Sequence, residues 1–221
     1  RGVRAQGVPP RPLPAVRKLP PPVASIKSEN LEDWTLEPTH PDWAGGLRET
    51  WTPGESGAYR RLNDFLDEAI KGYATGRDFP GRDHASHLSP HLRFGEISPR
   101  QVFHAARFAA EQHPALSRDV EKFLSELGWR EFCRHLLFDH PDLQRRNLQS
   151  SFDDFPWRRD AKTLHAWQQG RTGYPIVDAG MRELWHTGVM QNRVRMVTAS
   201  FLVKHLLLDW REGEAWFWDT L

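Results

Sequence analysis

The sequence predicts an all-α fold, and three features of the chain from Ala58 onward support this. Apolar residues recur at intervals of three and four, as they do on one face of a helix. Two Ser-Pro pairs, at Ser89 and Ser98, place a capping hydroxyl before a proline that suits the first turn of a helix. No segment alternates apolar and polar residues in the way that a half-buried strand does. Residues 58–221 are therefore predicted to form one helical domain.

Residues 1–57 differ from the rest because they hold most of the prolines and show no sustained helical or strand period. We interpret them as an extended, proline-rich linker that lies on a domain. Five basic residues and no acidic one fall within the first 18 positions, where they either contact an anionic partner or keep the segment solvated. Both ends of the sequence resemble internal segments, so the chain is expected to be part of a longer protein.

The helices are predicted in a regular order along the chain. The first spans 58–76, with its apolar face at Leu62, Phe65, Leu66, Ala69, Ile70 and Tyr73. The next two begin at the Ser-Pro pairs, and Gln101 completes a capping box with Ser98. A longer helix runs from about Val120 to the break at Pro141. Two shorter ones follow, in "TLHAWQQG" and "YPIVDAGMRELWHTG". The last, "NRVRMVTASFLVKHLLLDW", is apolar almost all round and is expected to be one helix threaded through the core.

Composition excludes several classes of protein. The net charge of +1 gives no overall argument for nucleic-acid binding, although a local basic groove is compatible with it. A single cysteine, Cys133, excludes an internal disulfide framework and indicates a reducing compartment, so the cytoplasm is expected. The longest apolar run is too short to span a membrane. The sequence contains no Walker loop, no dinucleotide glycine pattern and no nucleophile elbow.

Two of the predicted helices collect polar and aromatic side chains on shared faces. On the helix from Val120 these are Phe123, Glu126, Trp129, Arg130 and Cys133. On the last helix a stripe holds Asn192, Met196, Val203 and Trp210, flanked by Arg193 and Arg195. An ion pair between Glu126 and Arg130 explains part of the first face, and a polar pocket with an aromatic floor is the alternative. Such a pocket suits an extruded nucleobase, held by stacking and edge hydrogen bonds.

The segment "HASHLSPHLRFGE" offers two further kinds of site. Ser86 and Ser89 precede a proline-initiated helix, where free backbone N–H groups suit a phosphate, although capping alone explains Ser89. His84, His87 and His91 have a spacing that can bind a metal. Because no carboxylate or cysteine supports them, no metal site is predicted.

Several segments resemble one family. These are "LSPHLRFGEISPRQ", "ELGWREFCRHLLFDHP" and "AWQQGRTGYPIVDAGMRELWHTGVMQNRVRMVTASFLVKHLLLDWREGE". They resemble the helical FAD-binding domain of the DNA photolyase and cryptochrome family, and specifically its class I cyclobutane pyrimidine dimer photolyases. The resemblance implies light-driven electron transfer from reduced FAD to a dimer flipped out of UV-damaged DNA, which splits the dimer. A cryptochrome-like photoreceptor without repair activity is the alternative.

The resemblance also implies further components. An antenna pigment, folate or deazaflavin, is expected in an α/β domain that precedes residue 1, and the protein is expected to be a monomer. The family's Asp-x-Asp segment and inner tryptophan would follow Leu221. The chain alone is therefore expected to bind FAD weakly and to be inactive.

The resemblance assigns roles to individual residues. FAD is expected at Tyr73, Ala85, Ser86, His87, Leu88, Ser89 and Phe123, with Arg130 and Arg195 near the flavin and its phosphates. The dimer pocket is expected to hold Glu126, Trp129, Asn192 and Met196. Positions expected to contact DNA are Arg77, Glu126, Leu127, Gly128, Trp129, Arg130, Glu131, Phe132, Cys133, Asn192 and Arg193. Trp157 and Trp210 match the outer and middle members of the tryptophan chain that photoreduces the flavin.

Five positions depart from the family pattern. The family usually reads Thr-Ser-Arg-Leu-Ser at residues 85–89, so a hydroxyl and a guanidinium are missing, and His87 replaces the latter only in part. Phe123 stands where tryptophan is common, Gln191 where histidine is common, and Cys133 where tyrosine is common. The sequence offers no explanation for Gln191.

Overall fold

The structure is a computed structural model that describes residues 7–21 and 27–220 and contains ten α-helices within them. Their bounds are α1 Gly45–Thr50, α2 Glu55–Asp64, α3 Tyr73–Gly76, α4 Ser89–Phe94, α5 Pro99–Gln112, α6 Ser117–Asp139, α7 Ala161–Gln168, α8 Pro175–Thr187, α9 Asn192–Ser200 and α10 Trp210–Thr220. Short 3₁₀-helices occupy Leu31–Trp34, Pro114–Leu116 and Ser150–Phe152, and π-helical turns occupy Phe65–Ala69 and Phe201–His205. The described part of the chain forms no strand beyond one isolated bridge, so the all-α prediction is confirmed.

The two Ser-Pro starts behave differently. At α5 the Ser98 hydroxyl accepts from the Gln101 N–H while the Gln101 side chain accepts from the Ser98 N–H, so the predicted capping box is confirmed. At α4 the prediction is wrong by one position, because Ser89 is the first helical residue and Leu88 precedes it. Leu88 is buried and already has a helical backbone, whereas a capping residue is extended. Packing of Leu88 therefore determines how the chain enters α4.

The last predicted helix is two helices with a break. The π-turn at Phe201–His205 ends with the Leu206 N–H donating to the Phe201 carbonyl, and Leu207 then adopts φ = +56°. A hydrogen bond that spans five residues instead of four shifts the phase of the side chains, so a projection at 100° per residue is only approximate beyond Ser200. Trp210 begins a new helix, so the prediction of one continuous helix is wrong, although Asn192, Val203 and Trp210 of the predicted stripe still line one common cavity. Asn192 and Met196 are exposed, so α9 is not the buried rod that its composition suggested.

The first predicted helix is also interrupted. α2 passes into a π-turn at Phe65–Ala69, and Gly72 turns the chain with φ = +82° before α3. The carboxylate of Asp119 on α6 accepts hydrogen bonds from the N–H groups of Gly72 and Ala74, at 2.9 and 2.8 Å. This contact fixes the start of α3 against α6.

Two apolar clusters form the core. The first joins α2 to α6 and is formed by Ala58, Leu62, Phe65, Ile70, Tyr73, Leu88, Leu92, Ile97, Val102, Ala106, Val120 and Phe123. The second joins α7 to α9 and is formed by Trp167, Val177, Met181, Leu184, Met190, Val194, Phe201, Leu202 and Leu208. At its centre the fully buried Trp167 donates to the Thr198 carbonyl at 3.1 Å. Gly180 lets α8 approach α9 so closely that a Cβ there would collide with Val194.

Part of the predicted linker is folded onto these helices. The Trp51 indole N–H donates to the Thr187 carbonyl at 2.7 Å, and the Glu96 carboxylate accepts from the Gly54 N–H at 2.8 Å. α1 lies against α8. The boundary at residue 57 stays a prediction, although the chain is already helical on both sides of it. No helix in the described ranges is long and apolar enough to cross a membrane.

Candidate functional site: a cavity between the two apolar clusters

A cavity of about 1440 Å³ separates the first apolar cluster from the second. On one side it is walled by α3, the loop before α4, and α6; on the other by the turn from α8 to α9, by α9 and by α10. It exceeds the roughly 300–1,000 Å³ of pockets for drug-sized ligands. All nine residues predicted to hold the cofactor line it: Tyr73, Ala85, Ser86, His87, Leu88, Ser89, Phe123, Arg130 and Arg195.

On the α6 wall, Glu126 lies between two cations. Its carboxylate pairs with the Arg77 guanidinium and with the Lys122 ammonium, the latter at 2.9 Å. Burial alone would raise the pKa of Glu126, but the hydrogen bonds from Lys122 and Arg77 outweigh it and lower that pKa. The predicted pair with Arg130 is wrong. Of the two partners of Glu126, Lys122 lies one turn earlier on α6 and Arg77 follows α3. Arg130 instead pairs with Glu131 at 2.6 Å.

Arg77 joins α3 to this wall. Its side chain is 12% exposed, and its guanidinium lies over the Tyr73 ring, 5.4 Å from the centroid. Tyr73 packs edge-on against Phe123, and burial raises the pKa of Tyr73 to about 12. The hydroxyl therefore stays protonated at neutral pH. This wall of the cavity consists of aromatic rings with an embedded ion pair.

On the α9 wall, Gln191 supplies the helix cap. Its side-chain oxygen accepts from the N–H groups of Arg193 and Val194, at 2.7 and 3.1 Å, while its side-chain nitrogen donates to the Arg77 carbonyl. Next to it, the Arg193 guanidinium pairs with Asp78 at 2.9 Å. The residue that the sequence left unexplained thus connects α9 to the end of α3.

Arg195 is the unsatisfied charge of the cavity. Its Nη2 donates to the Met190 carbonyl at 3.2 Å, but its Nε is buried and has no partner among the described residues. Burial lowers the pKa of this guanidinium, although arginine stays charged at neutral pH. A buried donor without an acceptor is costly, so this position fits a ligand that brings an anionic or carbonyl oxygen.

The loop before α4 and the start of α4 carry three histidines. His87 has φ = +50°, which is uncommon for a residue other than glycine, and its Nε2 lies 2.8 Å from Asp83. His84 bonds the Ala69 carbonyl and His91 bonds Glu96. The three histidines therefore have separate partners. No group of three potential metal ligands comes together within the described ranges.

Some residues of the predicted site lie away from the cavity lining. Of the predicted dimer pocket, Glu126 and Asn192 line the cavity, whereas Trp129 and Met196 are 59% and 56% exposed and do not. Of the predicted DNA contacts, Arg77, Leu127 and Arg130 also line it. Those outside the lining are Gly128, Glu131, Phe132, Cys133 and Arg193. The exposed Trp129 packs edge-on against Phe132, so it lies on a surface of α6 outside the lining.

The two tryptophans of the predicted electron path occupy adjoining segments. Trp210 lines the cavity, donates its indole N–H to Asn147 at 2.7 Å and lies under the Arg211 guanidinium. Trp157 lies outside the lining and packs against Phe155. The N–H of Arg158, next to Trp157, donates to the Leu207 carbonyl at 2.8 Å, which brings the two segments together.

Sequence reasoning missed a good part of the lining, and Trp51 and Met190 are two examples. Trp51 comes from the predicted linker, and Met190 comes from the turn between α8 and α9. Neither position lies within a periodic segment, so no pattern in the sequence could have indicated it. Trp51 reaches the cavity only because its indole is bonded to the end of α8.

Comparison with known proteins gives this cavity a context. Residues 123–221 match the family described as the FAD binding domain of DNA photolyase. The deoxyribodipyrimidine photo-lyase of Agrobacterium fabrum is 53% identical over 221 residues, which is 100% of this chain and 46% of that protein. Cryptochrome-2 of Arabidopsis thaliana is 42% identical over 202 residues, 89% of this chain and 32% of that protein.

A solved structure is similar as well. The crystal structure of a class III photolyase from Agrobacterium tumefaciens superposes with a TM-score of 0.87 at 56% identity, over 90% of this chain and 41% of that one. The chain thus spans less than half the length of these relatives. Together with the helical fold, these similarities place the chain in the photolyase and cryptochrome family.

Proposed function

We propose that the protein containing this chain is a deoxyribodipyrimidine photo-lyase, a carbon–carbon lyase that repairs UV-damaged DNA. FAD is proposed to occupy the cavity. The observation that carries the proposal is that nine residues from α3, the loop before α4, the start of α4, α6 and α9 line one cavity, among them Arg195, whose buried Nε lacks an acceptor. Similarity to photo-lyases over the whole described length supports the same conclusion.

The lining fits a flavin dinucleotide chemically. Nε of Arg195 supplies a donor for an anionic oxygen, and the hydroxyls of Ser86 and Ser89 lie on the same lining. The rings of Tyr73 and Phe123 supply an apolar, flat-sided wall. We propose that the serines and Arg195 hold the phosphates and that the aromatic wall excludes water from the rest.

When bound, FAD supplies the light-driven one-electron chemistry. The chain's own residues are proposed to orient the flipped base and to supply electrons to the cofactor. Glu126 is ionised at neutral pH, and Lys122 and Arg77 lower its pKa further, so it is proposed to accept hydrogen bonds from the edge of a flipped base. Asn192 lines the same cavity and offers an amide for the same purpose. Trp210 lies on the lining and Trp157 outside it, so an electron is proposed to pass from Trp157 to Trp210 and then towards the cavity.

DNA is proposed to bind where α6 and α9 meet the surface. Trp129 and Met196 lie there, exposed, as a stacking platform and a thioether for the extruded dimer. Arg77, Leu127 and Arg193 with the rest of the predicted set would contact the surrounding strand. The resemblance found in the sequence suggested class I; the 56% identity to a class III photolyase structure favours class III.

Four parts of the proposal rest on the sequence and on its resemblance to the family. Residues 1–57 act as a linker and 58–221 as the FAD- and DNA-binding domain. An antenna pigment, folate or deazaflavin, belongs to a preceding domain. The protein is a monomer. It works in the cytoplasm.

Photorepair tests the proposal directly. The protein is loaded with FAD, photoreduced, and mixed with an oligonucleotide that carries one thymine dimer. Tighter binding of this DNA than of undamaged DNA, and loss of the dimer only under blue light, is the expected result. Equal affinity for both oligonucleotides with no light-dependent loss would contradict repair.

A cryptochrome-like photoreceptor is the second candidate, because cryptochrome-2 of Arabidopsis thaliana is 42% identical to this chain. Such a protein would bind FAD in the same cavity and photoreduce it without repairing DNA. FAD photoreduction in the absence of any dimer loss would favour it. The exposed Trp129 and Met196 favour repair, since a receptor has no need of a stacking platform for a base.

A further inference from the structure

Gln191 uses both ends of its amide, and this is unusual for a helix cap. The oxygen accepts two backbone N–H groups at the start of α9, so the cap is complete without any further contact. The nitrogen is then free to donate, and it donates to the carbonyl of Arg77, 114 residues earlier in the chain. A serine, threonine or aspartate would cap α9 as well but could not make the second bond. The hydroxyls of serine and threonine are too close to the backbone to reach Arg77, and the aspartate carboxylate has no donor.

The bond to Arg77 lies at the end of α3, which is a single turn held at both ends. Its start is fixed by Asp119 of α6, which accepts from Gly72 and Ala74. At its other end the chain is held from α9, by Gln191 at the Arg77 carbonyl and by Arg193 at the Asp78 carboxylate. A four-residue helix has too few internal hydrogen bonds to be rigid alone, so these contacts fix its orientation.

The side chain that leaves this turn is the one that pairs with Glu126. Arg77 reaches Glu126 while lying over the Tyr73 ring, and its donor contact to the Tyr73 hydroxyl at 3.4 Å is weak. The backbone at Arg77 therefore sets where the guanidinium lies. We propose that Gln191 is a positioning residue that, by holding the Arg77 backbone from α9, orients the Arg77–Glu126 pair on the opposite wall of the cavity.

This inference deepens the proposed function, on which its link to dimer recognition rests. It assigns to the turn between α8 and α9 the task of aligning the carboxylate on α6. Two walls that belong to different apolar clusters are thereby held together by the Gln191 amide, next to the Arg193–Asp78 pair. Position 191 thus needs one acceptor for the helix cap and one donor for the Arg77 carbonyl. Histidine also has both, because one ring nitrogen can accept while the other donates.

The test separates the two ends of the amide. Gln191→Asn keeps a strong cap but is one methylene too short to reach the Arg77 carbonyl, and Gln191→His can make both contacts. Ser98→Ala is the matched control, since it removes the cap of α5, where Ser98 bonds to Gln101 and not to Arg77 or Glu126. The 221-residue chain is labelled with ¹³C at glutamate carboxyls, and the Glu126 resonance, identified by its loss in Glu126→Gln, is titrated by NMR.

The expected result is that Gln191→Asn moves the Glu126 midpoint upward, towards the ordinary glutamate value, while Gln191→His and Ser98→Ala leave it at the wild-type position. The inference is overturned if Gln191→Asn leaves the midpoint unchanged, or if Ser98→Ala moves it as far. Circular dichroism of each variant shows that it is folded, and a Gln191→Asn chain that is unfolded is replaced by Gln191→Ser, which also caps but cannot reach.

A second measurement, of DNA binding, distinguishes failure of this inference from failure of the proposed function. In the FAD-loaded protein, Gln191→Asn is expected to weaken binding of the dimer oligonucleotide several-fold and of undamaged DNA much less. If wild-type protein fails to distinguish the two oligonucleotides while the Glu126 midpoint still moves in Gln191→Asn, the proposed function fails and the positioning role stands. If dimer recognition is present and the midpoint does not move, the positioning role fails alone.

Discussion

The two walls of the cavity treat buried charge in opposite ways. On α6 the Glu126 carboxylate lies between Arg77 and Lys122, so the charges on that wall satisfy one another. On α9 the Arg195 guanidinium has one bond to a carbonyl and a buried Nε with no partner in the described part of the chain. A buried charge that has its partners costs the folded chain little stability. A buried charge without a partner lowers the free energy of unfolding until a ligand supplies one. The difference indicates that the α6 charges are satisfied before any ligand binds, whereas Nε of Arg195 would gain its partner from a ligand.

Arg195→Met should give the largest effect, and on ligand binding rather than on folding. Loss of a hydrogen bond to a charged group costs about 1.5–3 kcal/mol, so the Kd for FAD should rise by roughly 10- to 100-fold. Without ligand the free energy of unfolding should stay the same or increase, because a partly unsatisfied buried charge is removed. Fluorescence titration with FAD and urea denaturation measure the two quantities.

Arg182→Met is the control for that experiment. Arg182 on α8 donates from two nitrogens to the Gly170 carbonyl and does not line the cavity. Its loss should lower stability and leave FAD affinity unchanged. If Arg195→Met lowers stability as Arg182→Met does, without any change in FAD affinity, then Arg195 is a structural residue and the contrast between the walls is lost.

The α6 wall was largely predictable from the sequence, and the reason is its continuity. α6 has one uninterrupted period over Ser117–Asp139, so Phe123, Glu126 and Arg130 were correctly placed on one face. That face is wider than the cavity, however. Trp129 lies three positions after Glu126, about 60° round the helix, and this rotation carries its indole outside the lining.

On the α9 wall the sequence indicated Asn192, Arg195 and Trp210 correctly, but the helix bounds were poorly predictable, because tertiary contacts interrupt the period. The π-turn at Phe201–His205 is followed by Leu207 in a left-handed conformation, whose carbonyl is bonded by Arg158 from a distant loop. No local pattern encodes that bond. Gln191 was unexplained for the same reason: its cap is local, but its partner Arg77 lies on another element.

Arg77→Met tests the paired wall and should have the second largest effect. It leaves Glu126 with Lys122 alone and removes the cation from the Tyr73 ring. Since Arg77 is mostly buried but Glu126 is partly exposed, we expect a loss of about 1–2 kcal/mol in the free energy of unfolding. Urea denaturation measures it. Arg193→Met, which breaks an exposed pair with Asp78, should change stability far less; equal losses would mean that burial of the Arg77 pair contributes nothing.

The pH dependence of stability should reveal the same pair. The pKa of Glu126 is below its ordinary value of 4.5 in the folded chain, so its contribution is fully present above about pH 4.5 and is lost as the pH falls through the lowered value. Glu126→Gln lacks this contribution. The difference in unfolding free energy between wild type and Glu126→Gln should therefore shrink from pH 6 to pH 3, and a constant difference would show that Glu126 is not stabilised in its charged form.

Lys122→Met should give the smallest effect. The ammonium is 42% exposed and pairs with Glu126 across one helical turn, so water competes for both charges and the loss should be about 0.2–0.5 kcal/mol. The sharper measurement repeats the substitution in Arg77→Met, where Lys122 is the remaining partner of Glu126. There the loss should be larger, because the two cations share one carboxylate and each compensates for the other. Equal losses in both backgrounds would show that Lys122 and Arg77 act independently, and that the α6 wall is a set of separate pairs.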